Sequence, residues 1–339
     1  MDRRDFLKVG GAAALTGGVA APTNAAQERP APVIRDDARP LTLAAGEPWH
    51  LGPSRLAQRI ETATGGRYRI DVVRDAAAPD LRLAPTHEDE RLHPAFAFFA
   101  GLPGGLDTEA HDTWLAVGGG QMLWDELAAG FGWKPLLAGR SGAGAGLWST
   151  RRLETAADLA GAAVHAHGAA CAALAALGAR PVTLALHEIA PALADGRIAA
   201  AEWLGPPLPM AGGDTGPLAE RLYQPGLTPG GTALALNVRL DLWRSLDAAD
   251  QAILEACAAE ECRLARAEAL AFAAIARQVA EPSKWPVRQP FAPAFAAALA
   301  RASAEAVERI AATDDDARRI ADSHSAFRHL LGEPAIASA

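Results

Sequence analysis

The sequence predicts an α/β protein with two domains, and three observations lead to this prediction. The chain has 339 residues, half of them apolar, which suffices for two hydrophobic cores. From residue 156 onward, predicted helices and strands alternate with short loops, as in a parallel sheet covered by helices on both faces. An acid and a large aromatic residue, Glu202 and Trp203, follow the apolar run 198–201. Open α/β sheets hold ligands at such strand ends, although the pair also suits an ordinary loop acid and a core tryptophan.

The composition excludes several classes of partner. The formal net charge of −8 and the pI near 5.6 argue against nucleic acid or an anionic membrane surface. No run reaches the roughly 20 apolar residues that a membrane span needs. Cys257 and Cys262 lie five residues apart on one predicted helix and point to different faces, so we expect no disulfide between them.

The N-terminus has the pattern of an export signal. Arg3-Arg4-Asp5-Phe6-Leu7-Lys8 is followed by a weakly apolar run at 9–21 and by small residues up to Ala26. This matches a twin-arginine signal peptide over residues 1–26, which predicts export of the folded protein to a periplasm. The alternative is a cytosolic protein with an arginine-rich start.

The first half of the chain predicts a strand at 41–45, an amphipathic helix at 54–64, and strands at 68–73 and 81–83. Only a few residues separate the last two strands, whereas a parallel connection normally needs a dozen or more. We therefore expect the crossover helix between them to be missing or minimal. An apolar patch, helices and a strand follow, at 94–99, 108–117, 122–129 and 134–138.

The glycine-rich segment 142–146 matches no catalytic or nucleotide-binding motif. Leu147 stands where a dinucleotide fingerprint needs its last glycine. Ala143 stands where a nucleophile elbow around Ser141 needs its closing glycine. We therefore interpret these glycines as a place of close backbone packing.

The second half predicts further elements in alternation. The predicted strands are 163–166, 181–184, 198–203 and 232–237. The predicted helices are 169–177, 188–194, a long one from 247 to about 280, 292–312 and 314–329.

Two histidines are the main candidates for site chemistry. His165 and His167 follow a predicted strand and, being two residues apart, share a face. They could bind a metal as neutral rings, bind an anionic ligand when protonated, or be ordinary strand-end residues. No second cluster with metal spacing occurs, and no Ser/His/Asp set can be recognised.

Five segments carry a resemblance to a known family: Pro94-Ala-Phe-Ala-Phe-Phe99, Gly118-Gly-Gly-Gln-Met-Leu-Trp-Asp-Glu-Leu127, Ala200-Ala-Glu-Trp-Leu-Gly-Pro206, Gly231-Thr-Ala-Leu234 and Ser325-Ala-Phe-Arg328. From about residue 41 to 331, the chain resembles the solute-binding proteins of tripartite ATP-independent periplasmic (TRAP) transporters, of the DctP type. It looks most like those that bind α-keto acids and similar carboxylates. The resemblance implies a two-lobed periplasmic binding protein fold: two Rossmann-like α/β lobes, strands that cross between them, a long bracing helix and C-terminal helices.

The resemblance also implies domain bounds. Lobe I is expected to comprise residues 40–139 plus about 225–265. Lobe II is expected to comprise residues 140–224 plus about 266–312. A C-terminal helix covers 313–331.

The site residues of the family are only partly kept. Glu202 and Trp203 stand at positions that help to bind a cation and the substrate carboxylate, so they are the candidate metal ligands. The family's carboxylate-binding arginine falls on His165, its glutamine on Gly144, and its first-lobe aromatic pair near His87 and Glu88. An imidazole offers fewer donors than a guanidinium and is mostly neutral at pH 7. The candidate solute contacts are therefore His165, His167, Glu202, Trp203, Arg140 and Gly144.

The function implied is solute capture without a chemical step. The protein would clamp a small, carboxylate-type solute between its lobes and deliver it to the TRAP membrane permease. A bound cation and a homodimer are both compatible with this function. Because of the changed residues, we expect simple keto acids to bind weakly. One alternative is a binding-incompetent paralogue with an interaction or regulatory role. Another is an enzyme that uses His165, His167 and Glu202 as acid, base or metal groups.

Overall fold

A computed structural model describes residues 32–46, 52–141, 146–203, 219–279 and 286–332. It contains one sheet of five strands and one of six, which confirms the predicted two-lobed α/β fold. We call the parts built around these sheets lobe I and lobe II. The predicted signal peptide and Gly144 lie outside the described residues.

The strands are β1 (Arg39–Ala45), β2 (Tyr68–Val73), β3 (Leu81–Pro85), β4 (Trp133–Arg140), β5 (Gly146–Ser149), β6 (Ala163–His165), β7 (Arg180–Val182), β8 (Ala200–Trp203), β9 (Arg221–Tyr223), β10 (Ala233–Arg239) and β11 (Val287–Gln289). The helices are α1 (Gly52–Ala63), α2 (Phe96–Ala100), α3 (Thr108–Val117), α4 (Gly120–Ala129), α5 (Ala169–Ala176), α6 (Leu186–Ala194), α7 (Leu240–Ser245), α8 (Ala248–Val279), α9 (Pro293–Ala311) and α10 (Asp315–Leu330). Short 3-10 helices cover Thr86–Arg91 and Ala156–Leu159.

Both sheets are mixed. Lobe I has the order β2-β1-β3-β10-β4, in which β10 runs antiparallel to both of its neighbours. Lobe II has the order β11-β9-β5-β8-β6-β7. The prediction of parallel strands from residue 156 is correct for β6, β7 and β8. β5, which precedes that segment, runs antiparallel to β8 and β9.

The register of lobe I explains the short connection between β2 and β3. Both strands lie parallel to β1, one on each side. Val73, at the end of β2, and Arg82, near the start of β3, both lie opposite Ala44. The chain therefore has no need to return along the sheet, and it crosses only two strand spacings, about 10 Å. The side chain of Asp80 secures the connection by accepting a hydrogen bond from the Thr42 amide at 2.9 Å.

The chain passes between the lobes next to the edge strand of lobe I. It leaves lobe I after β4 and returns from β9 to β10, which is the neighbour of β4. Ser141 and Thr232 hold the two crossings together: the Ser141 amide donates to the Thr232 carbonyl at 3.0 Å, and the Thr232 amide donates to Ser141 Oγ at 2.9 Å. Ser141 thus links the two crossings through its backbone and its hydroxyl group.

Helices cover lobe I on two sides. α8 packs against β4 and α1, and α10 packs against α4 and α2. The apolar patch predicted at 94–99 is buried here: the Phe99 ring stacks between Trp114 and Trp124, with centroid distances of 5.5 and 5.4 Å. A Cβ on Gly120 would lie 2.8 Å from the Trp114 ring, which explains one glycine of the Gly118-Gly-Gly120 run.

The other sequence expectations have clear outcomes. Cys171, Cys257 and Cys262 are free. The strand predicted at 181–184 ends at Val182, because the Leu184 amide donates to a histidine side chain instead of a neighbouring strand. Within the described residues, no helix combines the length and apolarity of a membrane span.

Candidate functional site

A cavity of about 480 Å³ opens at the carboxyl ends of β1 and β3 in lobe I. Its charged lining residues are Arg74, Asp75, Arg82, Glu88 and Arg91. Arg82 is paired with Asp89 and lies 3.8 Å from Glu88. The position is the one at which open α/β sheets hold ligands. Arg74 and Arg91 are therefore the groups of this cavity that would attract an anion.

The 3-10 helix Thr86–Arg91 connects this cavity with lobe II. Because such a helix has three residues per turn, residues three apart share a face. Thr86 and Asp89 form the buried face, where Asp89 pairs with Arg82. Glu88 and Arg91 form the face that lines the cavity. The third face consists of His87 and Glu90, and both of these side chains meet lobe II.

Three histidines meet where the lobes touch. The ring of His167 stacks on that of His87, with centroids 4.3 Å apart, and meets the ring of His165 edge-on at 4.7 Å. His87 Nδ1 also lies 3.3 Å from Thr232 Oγ1, beside the crossings between the lobes. The structure thus brings the two predicted histidines together and adds a third. The resemblance placed His87 at an aromatic position, but no spacing signal linked it to residues almost 80 positions away.

His165 has a free hydrogen-bond donor. Its side chain is fully buried, and its Nδ1 accepts a hydrogen bond from the Leu184 amide at 3.1 Å. In the neutral ring the proton is therefore on Nε2. Nε2 is buried and has no partner among the described residues. A buried donor without an acceptor costs about 1–3 kcal/mol, so this atom is suited to donate to a ligand.

The three rings are neutral at pH 7. Burial, reinforced by neighbouring histidines, lowers the pKa of His87 and of His165 to about 3. Burial lowers the pKa of His167 to about 4. In the part of the chain that the structure describes, no group of three or more His, Cys, Asp or Glu side chains could hold a metal ion. The cluster therefore offers hydrogen bonds but no positive charge.

Glu202 belongs to a separate part of the site. His165 lies opposite Ala201 in the parallel pair β6–β8, so the next residue, Glu202, points to the other face of the sheet. Its Oε1 accepts from the Thr228 amide at 2.7 Å, in the return crossing. Its Oε2 is buried without a partner in the described structure, and burial raises the pKa of Glu202 to about 7. Trp203 is the last residue of β8, opposite Gly146.

Arg140 is bound within lobe I. Its Nε and Nη2 donate to Asp112 Oδ1 at 2.8 and 2.5 Å, and Nη2 also contacts His111 Nδ1. Only 2% of the Arg140 side chain is exposed. This candidate solute contact thus lies in an ion pair between β4 and α3. No sequence pattern indicated this ion pair, because Asp112 lies on the polar side of an ordinary amphipathic helix.

The comparisons with known proteins support the family and the two-lobed fold. The family described as bacterial extracellular solute-binding protein, family 7 (DctP), matches residues 84–314, more than half of the chain. A curated relative, the monocarboxylate 2-oxoacid-binding periplasmic protein of Nostoc sp., is 28% identical over 297 residues, which cover 83% of this chain and 80% of the relative.

Two solved structures share the fold. Both are TRAP periplasmic solute-binding proteins, 22% identical to this chain, and each match covers 87% of this chain and 95% of the other. The protein from Pseudoalteromonas atlantica, with bound sodium and pyruvate, has a TM-score of 0.76. The protein from Colwellia psychrerythraea, with bound calcium and pyruvate, has a TM-score of 0.77.

Proposed function

Because the chain belongs to the DctP family of bacterial solute-binding proteins, we propose that it captures a small carboxylate-type solute between its lobes for a TRAP membrane permease. The observation that carries this proposal is the meeting of His87 from lobe I with His165 and His167 from lobe II, next to an arginine-lined cavity. Capture proceeds by lobe closure about a hinge at Ser141 and Thr232. No bond in the solute is made or broken.

Two sets of groups would bind the solute. Arg74 and Arg91 attract the anion into the cavity from the lobe I side. The Nε2–H of His165 donates a hydrogen bond to a solute oxygen, which satisfies the buried donor. A carboxylate bound beside the rings favours their protonated form, so capture of an anion is accompanied by proton uptake.

A cation would fit at Glu202. Oε2 of this carboxylate is buried and unpartnered in the described structure, and a bound cation would provide the missing interaction. Carboxylate oxygens are ligands that sodium and calcium accept, and both ions occur with pyruvate in the similar structures. The pKa of about 7 means that such an ion binds more tightly as the pH rises through neutrality, since it requires the ionised form.

The direct test is a thermal-shift screen of small carboxylates, followed by calorimetry of each hit on the wild type and on His165→Gln. We expect at least one carboxylate to raise Tm and the variant to bind it more weakly. If no carboxylate raises Tm with or without sodium or calcium, the proposal fails. The alternative is then a binding-incompetent paralogue, which the neutral His165 at the family's arginine position would favour.

The route of export has its own test. We propose that Arg3-Arg4 directs the precursor to the twin-arginine pathway and so to the periplasm. Replacing both residues by lysine should leave the precursor in the cytoplasm, as judged by fractionation and immunoblotting. Unchanged export of this variant would exclude the route.

A further inference from the structure

Glu90 makes a contact between the lobes that solute binding does not require. A Cβ placed on Gly168 of lobe II would lie 2.1 Å from Glu90 Oε1, 2.8 Å from Cδ and 3.0 Å from Oε2. The carboxyl group of Glu90 therefore lies flat against the Gly168 backbone. Gly168 has φ of +53°, so both its conformation and its lack of a side chain favour glycine at this position.

Glu90 lies beside the N-terminus of α5. Gly168 is the N-cap residue of this helix and provides no side-chain hydrogen bond. The amide of Ala169 interacts with the Glu90 carboxyl group and favours its charged form. The first amides of a helix attract carboxyl oxygens. A side chain of lobe I thus meets the N-terminus of a helix of lobe II.

The second contact lies on the same face of the 3-10 helix. His87 precedes Glu90 by three residues and stacks on His167, which precedes Gly168. Two side chains of one short helix therefore contact three consecutive residues of lobe II, His167, Gly168 and Ala169. Because Asp89 of the same helix pairs with Arg82 of β3, the helix is fixed to lobe I.

We propose that Glu90 and His87 form an interlobe latch that holds the lobes together before any solute binds. In a solute-binding protein that closes only around its ligand, the ligand supplies all of the free energy that favours the closed form. Here the contacts between the lobes supply part of that free energy. The latch raises the population of the closed form, and the solute completes the closure that captures it.

The protonated carboxyl group is compatible with this contact. Burial raises the pKa of Glu90 to about 8, and the Ala169 amide opposes the shift only in part. At pH 7 the group is mostly neutral, which avoids a buried charge, and its carbonyl oxygen can still interact with the amide. A glutamine side chain offers the same acceptor in nearly the same shape.

The test is small-angle scattering of the protein without solute. We expect the wild type and Glu90→Gln to have the same small radius of gyration, and Glu90→Ala to have a larger one. Hydrogen exchange gives a second measurement: the Ala169 amide should exchange about tenfold faster in Glu90→Ala than in Glu90→Gln, the size of effect expected for a lost acceptor at a helix N-terminus.

Asp107→Ala is the matched control. Asp107 caps α3 within lobe I, where its Oδ1 accepts from the Ala110 amide at 2.9 Å. This variant also removes a carboxyl group at a helix N-terminus, but it should leave the radius of gyration unchanged. Equal radii for the wild type and Glu90→Ala would overturn the latch, as would an equal expansion in Asp107→Ala or Glu90→Gln. No solute is present, so these results are independent of the proposed function.

Discussion

The protein buries histidines in two places, and they differ in their hydrogen bonds rather than in their pKa. His111 in lobe I uses both ring nitrogens: Nε2 donates to the Phe98 carbonyl at 2.8 Å, and Nδ1 contacts Arg140. His165 uses only Nδ1 and leaves Nε2 without a partner in the described structure. Burial lowers the pKa of both residues.

A depressed pKa therefore does not distinguish a structural histidine from a binding one. Desolvation lowers the pKa of any imidazole that is removed from water, whatever its role. Between these two histidines the unused ring nitrogen is more informative, because native proteins satisfy nearly all buried polar groups. The criterion applies to the imidazoles alone, since Arg140 Nη1 of the lobe I cluster is also buried without a partner in the described structure. We expect the lobe I cluster to govern stability and the interlobe cluster to govern binding.

The largest expected effect comes from Arg140→Ala. The change leaves the buried His111 without its partner and leaves Asp112 with only the longer contact to Arg266 at 3.8 Å, so the free energy of unfolding should fall by about 3 kcal/mol. Urea denaturation measures this loss.

Arg35→Ala, in an exposed pair with Asp37, should cost less than about 0.5 kcal/mol. If Arg140→Ala were stable but unable to bind solute, Arg140 would be a binding residue. The assignment of the lobe I cluster to stability would then be wrong.

His165→Gln should weaken solute binding and change stability little, the reverse of Arg140→Ala. Loss of the Nε2–H donor should weaken binding of an identified carboxylate about tenfold or more, because a hydrogen bond to a charged acceptor contributes about 1.5–3 kcal/mol. The free energy of unfolding should change much less than in Arg140→Ala. Calorimetry and urea denaturation of the same sample separate the two effects. Unchanged affinity would make His165 an ordinary strand-end residue.

Lowering the pH should move stability and binding in opposite directions. Burial lowers the pKa of His111 well below its usual value and that of His324 to about 3. Groups with a depressed folded-state pKa bind more protons when unfolded, so their contribution to stability is present above about pH 6.5 and is lost as the pH falls towards 3. Binding of an anion should instead strengthen, because the bound carboxylate favours protonated rings in the interlobe cluster.

Measurements of Tm and of the dissociation constant between pH 7.5 and 5 test both parts of this prediction. From about pH 6.5 to 5, Tm without solute should fall, because the buried histidines outnumber Glu90 and Glu202, whose raised pKa values of about 8 and 7 act in the opposite direction. The dissociation constant of an anionic solute should also fall. A dissociation constant that rises as the pH falls would indicate a metal-dependent site, because metals need neutral rings and ionised carboxylates. A flat profile would show that the rings stay neutral in the complex and contribute hydrogen bonds alone.

The smallest expected signal is that of simple keto acids. The resemblance places a family arginine at the position of His165, whose imidazole is neutral, so pyruvate and 2-oxobutyrate should give no heat of binding at sub-millimolar concentrations. Calorimetry with and without calcium tests this prediction. Micromolar binding would show that the cavity arginines fully replace the missing one.

The sequence alone determined the local elements and the family. Asp247 predicts the start of α8, and its Oδ1 does accept from the Asp250 amide at 2.8 Å. The alternation of helices and strands predicts the parallel strands of lobe II. The two-residue spacing of His165 and His167 predicts that they share a face, and their rings lie 4.7 Å apart. These features depend on neighbours within a few residues, whose geometry the chain fixes directly.

Only the tertiary structure decided which distant residues meet. It paired Arg140 with Asp112 and directed Glu202 away from the histidines. It also brought His87 and Glu90 against lobe II. These contacts depend on strand register, on the two crossings between the lobes and on the shape of one 3-10 helix. A shift of one residue in any register would turn a side chain to the opposite face of its sheet, and no local pattern in the sequence records that choice.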